Sequence, residues 1–318
     1  MTQMRAALFD RYGPPEVLRE GTVPIPDVKP GEVLVRVHST SVNGGELFGR
    51  AGKVRLVTGR RFPQRMGIDF VGDVVAMGSA VTGVREGERV WGGLERSFGS
   101  AAEYVAVRPR QFAVAPGEVT PEESVSLLSG GATSVTALRD KARLKAGERL
   151  LVRGARGGVG SVAVQIGELF GAHVTALAGA KNLDFVRGLG ADEAFDYRTT
   201  DPSELDEFDV IMDTVGTRHP VYRRKLAPGG RMVAIAFDID HVPASLSYFV
   251  VTTVYGSRRV RFFRNDPRHD QLAELARHVD DGALRPVVDT VHPLAGIADA
   301  HRALEAGGVR GKHVIKIG

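Results

Sequence analysis

The chain has 318 residues, 43% of them hydrophobic and 25% charged, with 42 Lys+Arg against 38 Asp+Glu and a formal charge of +4. That length accommodates two domains on the usual scale of roughly 100–200 residues each, and so small a positive excess is not a nucleic-acid-binding composition. The lack of any cysteine excludes thiol nucleophiles, disulfides, thiolate zinc sites and iron–sulfur clusters.

The N-terminus runs straight into a strand-like Ala6-Ala7-Leu8-Phe9 with no signal pattern. No apolar run approaches the roughly 18–20 residues that span a bilayer, so a cytoplasmic protein without membrane association is expected. The first third reads as β, with strands over 6–9, 33–37, 71–77, 88–91 and 102–107. Turns such as Gly13-Pro14-Pro15, Lys29-Pro30-Gly31 and Arg85-Glu86-Gly87 separate them. At Thr120-Pro121-Glu122-Glu123 the character changes. A threonine cap, a proline at the first helical position and acids in the first turn start a helix.

Strands over 149–153, 173–177, 210–213 and 231–236 then alternate with helices over 161–170, 180–188 and 220–227. Such alternation predicts a parallel, doubly wound sheet. Beyond Phe263, an amphipathic helix over 270–279 presents Leu272, Leu275, Ala276 and Val279 on one face. A strand at Val287-Val288, a helix over 297–306 and a last strand over 313–317 follow. The expectation is a discontinuous first domain, 1–122 with 265–318, and an inserted nucleotide domain, 123–264.

The segment 150–170 carries the strongest signal. The apolar Leu150-Leu151-Val152 leads into Gly154-Ala155-Arg156-Gly157-Gly158-Val159-Gly160 and then a helix. Ala155, Gly157 and Gly160 stand on the glycine positions of the dinucleotide fingerprint, where the helix N-terminus holds a diphosphate. Arg156 either adds a charged contact to phosphate or faces solvent. The acid that binds an NAD ribose belongs about 20 residues further on. There the chain reads Ala178-Gly179-Ala180-Lys181-Asn182, without Asp or Glu. Gly179 leaves room and Lys181 offers a cation to a 2′-phosphate, so NADPH is expected over NADH.

Further motifs are Tyr12-Gly13-Pro14-Pro15-Glu16-Val17-Leu18, Gly67-Ile68-Asp69-Phe70-Val71-Gly72 and Gly87-Glu88-Arg89-Val90-Trp91-Gly92. Ala102-Glu103-Tyr104-Val105, Gly131-Ala132-Thr133-Ser134, Leu189-Gly190-Ala191, Asp196-Tyr197 and Gly311-Lys312 continue them in order. With these motifs nearly the whole chain resembles the zinc-independent medium-chain dehydrogenase/reductases of the quinone oxidoreductase (zeta-crystallin-like) group. The resemblance implies an α/β protein: a GroES-like, mostly-β catalytic domain plus a Rossmann domain with a doubly wound parallel sheet. It also implies a homodimer, joined through strands near Val254 to Phe263.

Carried over by position, Asn43 and Thr133 lie near the nicotinamide, and Gly157, Gly158 and Val159 hold the diphosphate. Gly179, Lys181 and Tyr197 surround the 2′-phosphate. Ile235, Ala236, Phe262 and Phe263 line the nicotinamide side, although a core role is equally open for the two phenylalanines. Zinc-using relatives carry an early cysteine ligand and a Gly-His-Glu segment. Here the matching Gly67-Ile68-Asp69 lacks the histidine, and His38, His301 and His313 read as surface or packing residues, so no metal is expected.

The chain departs from its relatives at Asn43-Gly44-Gly45-Glu46-Leu47-Phe48. They usually have Asp in place of Glu46, and several have Tyr in place of Phe48. Phe48 cannot donate a proton, and Glu46 is either a structural anchor or a polar group at the pocket edge. The acceptor pocket is expected from the loops 43–65 and 241–254. Two arginine groups, Arg50, Arg55, Arg60, Arg61 and Arg65, then Arg258, Arg259, Arg261 and Arg264, are either solvated rims or attractors for an anionic substrate or an acidic carrier protein.

Without a metal to polarise a plain ketone, a quinone or other conjugated carbonyl is the natural hydride acceptor. The expected activity is NADPH-dependent hydride transfer to such a small molecule. Two alternatives stay open. One is a tailoring enoyl reductase acting on a secondary-metabolite or carrier-bound enone, and the other is a non-catalytic NADPH-binding sensor.

Overall fold

The computed structural model describes residues 2–55, 59, 61–95, 97–237, 248, 252, 259–263 and 267–318. The chain forms two compact units, Met1–Ser129 with Asp266–Gly318, and Gly130–Asn265.

In the first unit, strand β1 (Gln3–Phe9) pairs antiparallel with β2 (Leu18–Pro24) and β4 (Gln64–Arg65). Strand β3 (Val33–Ser41) alternates, burying Val33, Val35 and Val37 while Arg36 faces water, as a half-buried strand must. It leads into helix α1 (Gly44–Arg50). A second sheet combines β3 with β5 (Asp69–Met77), β6 (Arg89–Gly93), β7 (Tyr104–Val107) and β8 (Phe112–Val114). Phe9, Val35, Met66, Phe70, Val90 and Phe112 belong to the core of this unit. Helix α2 (Pro121–Val135) follows; Thr120 caps it, with its hydroxyl accepting from the Glu123 amide at 3.2 Å.

The second unit is built on a parallel sheet of β9 (Arg149–Arg153), β10 (His173–Ala178), β11 (Glu193–Asp196), β12 (Phe208–Asp213), β13 (Leu226–Ala234) and β14 (Arg259–Phe262). Its order, β11-β10-β9-β12-β13-β14, is the 3-2-1-4-5-6 order of a dinucleotide-binding fold. Leu150, Leu151 and Val152 are fully buried, as expected for a strand covered on both faces. Helices α3 (Gly160–Leu169), α4 (Leu183–Gly188) and α5 (His219–Arg223) accompany the strands.

The chain then returns to the first unit through α6 (His269–Asp280), β15 (Val288–Pro293), α7 (Ile297–Ala306) and β16 (Lys312–Lys316). The apolar face of α6 is buried as its periodicity requires. Strand β16 pairs with β3, setting Val314 against Ser41, so the end of the chain completes the sheet begun near its start.

Two local readings of the sequence differ from the fold, and one further element was not foreseen. The helix expected over 220–227 stops at Arg223, and Leu226 already pairs with Phe208 in β13. Pro228 and Gly229, whose φ is +79°, cannot extend a helix there. Residues 44–50 are helical although two glycines open the segment, because the cap described below holds them. A π-helical turn over Thr136–Ala142 follows α2 without any sequence signal. Among the described residues no helix is long and apolar enough to cross a membrane. Arg60, Arg258, Arg264 and nearly all of the loop 241–254 lie outside the described residues.

Candidate functional site

The glycine loop joins β9 to α3 at the point where the sheet's strand order reverses, the usual ligand position in such folds. The left-handed turn is carried by Gly154, with φ of +74°, one residue before the first fingerprint position. Ala155 can therefore replace a glycine: it is fully buried, and its amide donates to Leu177 O at 3.1 Å. A Cβ on Gly160 would strike the Gly154 carbonyl, so this glycine sets the close approach of helix to strand. A Cβ on Gly157 would meet nothing nearer than 3.7 Å. The amides of Gly158 and Val159 donate to no backbone carbonyl among the described residues. Arg156 is half-buried.

Helix α2 lies directly on this loop. A Cβ on Gly130 would run into the Gly158 carbonyl oxygen, and Ser134 Oγ donates to Val159 O at 3.4 Å. Thr133 is half-buried on the same stretch of helix.

At the carboxyl end of β10, Gly179 faces Tyr197, whose ring edge would lie 3.7 Å from an added Cβ. Arg198 joins them: its Nη1 would lie 3.9 Å from that Cβ, and its guanidinium sits 5.3 Å from the Tyr197 ring centre. Lys181 and Tyr197 are exposed. Sequence reasoning overlooked Arg198, although it immediately follows Tyr197. Ile235 and Ala236 follow β13, with the Ile235 amide donating to Asp213 O at 3.1 Å. Phe262 is exposed at 37% and packs edge-on against Phe237, whereas Phe263 is buried.

A buried ion network, also missed, fixes the other wall of the loop. Arg153 Nη1 lies 2.5 Å from Asp213 Oδ2, His219 Nε2 lies 3.0 Å from the same oxygen, and the guanidinium stacks 3.7 Å from the Tyr222 ring centre. Asp213 Oδ1 accepts from the amides of Val215 and Gly216 at 2.8 and 3.2 Å. Burial alone would raise the Asp213 carboxyl. The His219 hydrogen bond, the Arg153 charge and the Val215 amide together hold it below the usual range. The turn after β12 is thereby locked against Gly154, since Thr214 Oγ1 donates to Arg153 O at 2.7 Å.

In the first unit the polar candidates converge on a buried centre. Asp69, fully buried, accepts from Thr40 Oγ1 (3.1 Å), Ser41 N (2.7 Å), Ser41 Oγ (2.6 Å), Asn43 Nδ2 (3.1 Å) and Ser129 Oγ (2.6 Å). Glu46 Oε1 accepts from the Asn43 amide at 3.2 Å, the returning half of a capping box that starts α1. Its Oε2 accepts from Gly67 N at 3.0 Å. Burial, and after it the Asp69 charge, pushes the Glu46 carboxyl up to about 8. Lys312 Nζ donates to Asn43 Oδ1. Burial pushes this ammonium down, while Asp69 and Glu46 pull the other way.

The Asn43 amide is thus spent on the protein: Nδ2 also reaches Ser41 O and Glu46 Oε1, both at 3.1 Å. Phe48 stands apart from this centre, half-buried beneath Lys53, whose Nζ is 5.9 Å from its ring centre. Among the described residues no group of three or more His, Asp or Glu side chains is arranged to hold a metal.

A strand order of this kind above a glycine loop, together with a GroES-like unit closed by the chain's own C-terminus, defines a two-unit nucleotide-dependent oxidoreductase. The description "Alcohol dehydrogenase GroES-like domain" matches residues 29–117, and "Zinc-binding dehydrogenase" matches residues 189–315. The chain is 31% identical to a chloroplastic quinone-oxidoreductase homolog of Spinacia oleracea, over 98% of each chain. It is also 31% identical to a chloroplastic NADPH-dependent alkenal/one oxidoreductase of Arabidopsis thaliana, covering 98% of this chain and 79% of that one. The solved quinone oxidoreductase of Coxiella burnetii superposes with a TM-score of 0.90 over the whole of both chains, at 27% identity. The protein belongs to the quinone oxidoreductase group of the medium-chain dehydrogenase/reductase family.

Proposed function

We propose that the protein transfers hydride from NADPH to a quinone or another conjugated carbonyl, without a metal. The observation that carries this reading is the state of Asp69. It stands where zinc-using relatives have the glutamate of Gly-His-Glu, and its carboxylate oxygens are occupied by protein donors. With Ile68 in place of the histidine, the chain lacks the groups that would polarise a plain ketone through a metal. A conjugated acceptor needs less help, because hydride addition at its far carbon sends the π electrons to oxygen.

NADPH, when bound, supplies that hydride. The residues fit it: Gly157 leaves an open face for the diphosphate, and the tip of β10 carries no acid but has Lys181 and Arg198 beside Gly179. A 2′-phosphate there gains charge-assisted hydrogen bonds that a free ribose hydroxyl does not. Asn43 acts as a positioning residue, orienting α1 by linking Glu46, Asp69 and Lys312, and its amide has no hydrogen left for a substrate oxygen. Phe48 supplies an apolar surface, so the proton that completes the saturated product comes from solvent. The protein works as a cytoplasmic homodimer joined through the edge strand β14, which molar mass by light scattering would check.

The test is spectrophotometric. NADPH and NADH oxidation is followed with a panel of quinones, enones and an enoyl thioester. NADPH-dependent turnover of quinones or enones is expected. Turnover of saturated ketones at a matching rate, or tight NADPH binding with no acceptor reduced, would overturn the reading.

A further inference from the structure

Between Glu46 and Asp69 the chain carries Arg50, Lys53, Arg55, Arg60, Arg61 and Arg65 and not one acid. The structure separates these cations. Arg50 is buried and paired with Glu305, and Lys53 lies over Phe48. Arg65 is different. It is half-buried, yet its side chain forms no ion pair or hydrogen bond among the described residues.

The position of Arg65 is nonetheless fixed. Its backbone is held in β4, opposite Leu8 of β1. Its guanidinium lies flat on Gly99, with Cζ, Nε and Nη2 3.1–3.2 Å from where a Cβ would stand. Gly99, at φ of +150°, is tied by its amide to Gly67 O at 2.8 Å, and the Gly67 amide donates to Glu46. The cation is therefore anchored two hydrogen bonds from α1, the helix that carries Asn43, Glu46 and Phe48.

A guanidinium partly withdrawn from water, with no counter-charge among the described residues, is costly, and burial lowers its proton affinity in this protein. Such an arrangement is stable in use when a ligand brings the missing anion. We propose that Arg65 anchors an anionic group, a carboxylate or a phosphate, carried by the conjugated carbonyl substrate. This rests on the reductase reading and narrows it to acidic acceptors. Arg65 takes no part in the hydride transfer. Its fork of N–H donors binds and orients the acid.

The test uses benzylideneacetone and its para-carboxylate and para-phosphate derivatives as acceptors, with the intact protein and NADPH. The wild type is expected to favour one of the two acids over the neutral enone by about ten-fold or more in kcat/KM, and the stronger of the two identifies the anion. In Arg65→Met the preference disappears through KM, while the neutral enone stays within about two-fold, and Arg65→Lys recovers part of it. Equal use of all three acceptors by the wild type, or an equal loss on all three in Arg65→Met, would overturn the proposal. If none of the three is reduced, the quinone panel decides the reductase reading, and calorimetric titration with para-butylbenzoate decides Arg65 alone. Saturable binding lost in Arg65→Met supports the anion site, and no binding to the wild type removes it.

Discussion

Lys312 Nζ donates to Asn43 Oδ1, joining residues 269 positions apart in the chain. Through the Asn43 amide, one buried cation faces the carboxyl groups of Glu46 and Asp69. Removing one member of a buried charged network leaves the others uncompensated, at a cost of about 3–5 kcal/mol. Lys312→Met is therefore expected to lower the urea midpoint by that amount of stability with an unchanged m value. A loss below about 1 kcal/mol would place this cluster with weak surface pairs.

Glu46 makes stability fall as the solution becomes alkaline. Its carboxyl is raised from 4.5 to about 8 in the fold, so the folded state keeps a proton that the unfolded chain releases. The contribution is fully present below about pH 4.5 and is lost as pH rises through about 8, with a slope of up to about 1.4 kcal/mol per pH unit. Glu46→Gln should remove that slope from unfolding free energies measured between neutral pH and about pH 8.

His301 acts in the opposite sense. Its ring is fully buried, neither nitrogen has a hydrogen-bond partner among the described residues, and burial with the nearby Arg50 charge lowers it from 6.5 to about 3. The unfolded chain takes up the proton first, so this stability is present above about pH 6.5 and lost as pH falls toward about 3. His301→Phe should flatten the acid limb of the unfolding curve. Between about pH 4.5 and 6.5 the two slopes oppose each other, and the single variants should reveal each one separately.

The second and third positions of the glycine fingerprint should fail in different ways. Gly160→Ala forces a methyl group into the Gly154 carbonyl and should cost about 1–3 kcal/mol of stability through overpacking. Gly157→Ala meets only the Gly154 carbonyl oxygen, at an ordinary contact distance of 3.7 Å. Its melting temperature should stay within about 2 °C of the wild type, while the KM for NADPH rises several-fold because the methyl group occupies the diphosphate's place.

Cofactor choice should depend on Lys181 and Arg198. Replacing either with Ala is expected to raise the KM for NADPH by about ten-fold and leave that for NADH nearly unchanged, since each removes a charged group from the site proposed for the 2′-phosphate. Equal effects on both cofactors would show that these residues only shape the tip of the strand.

Much of the nucleotide unit was legible because its signals are local. Continuous apolar runs mark buried parallel strands, and Gly154 and Gly160 mark points of the backbone path where no Cβ fits. The helix start at Thr120 and the buried face of α6 were readable for the same reason: a cap and a helical period lie within a few neighbouring positions. The sequence by itself determined the two-part α/β organisation and the absence of thiolate chemistry. It also placed Gly179 with no acid beside it.

Tertiary structure alone decided the roles of the charged residues, because a charge takes its meaning from partners that are distant in sequence. Arg50 and Arg65 look alike in a basic segment, yet one is buried against Glu305 from α7 and the other rests on Gly99, its side chain unpaired among the described residues. Arg153 sits one residue before the phosphate loop, but its partners Asp213, His219 and Tyr222 come from β12 and α5. Asn43, read from its position as a nicotinamide neighbour, is the junction between two carboxyl groups and a lysine of the last strand. Burial then sets the energies. Desolvation, which depends on how the sheets close over these groups, raises Glu46 and lowers Lys312 and His301.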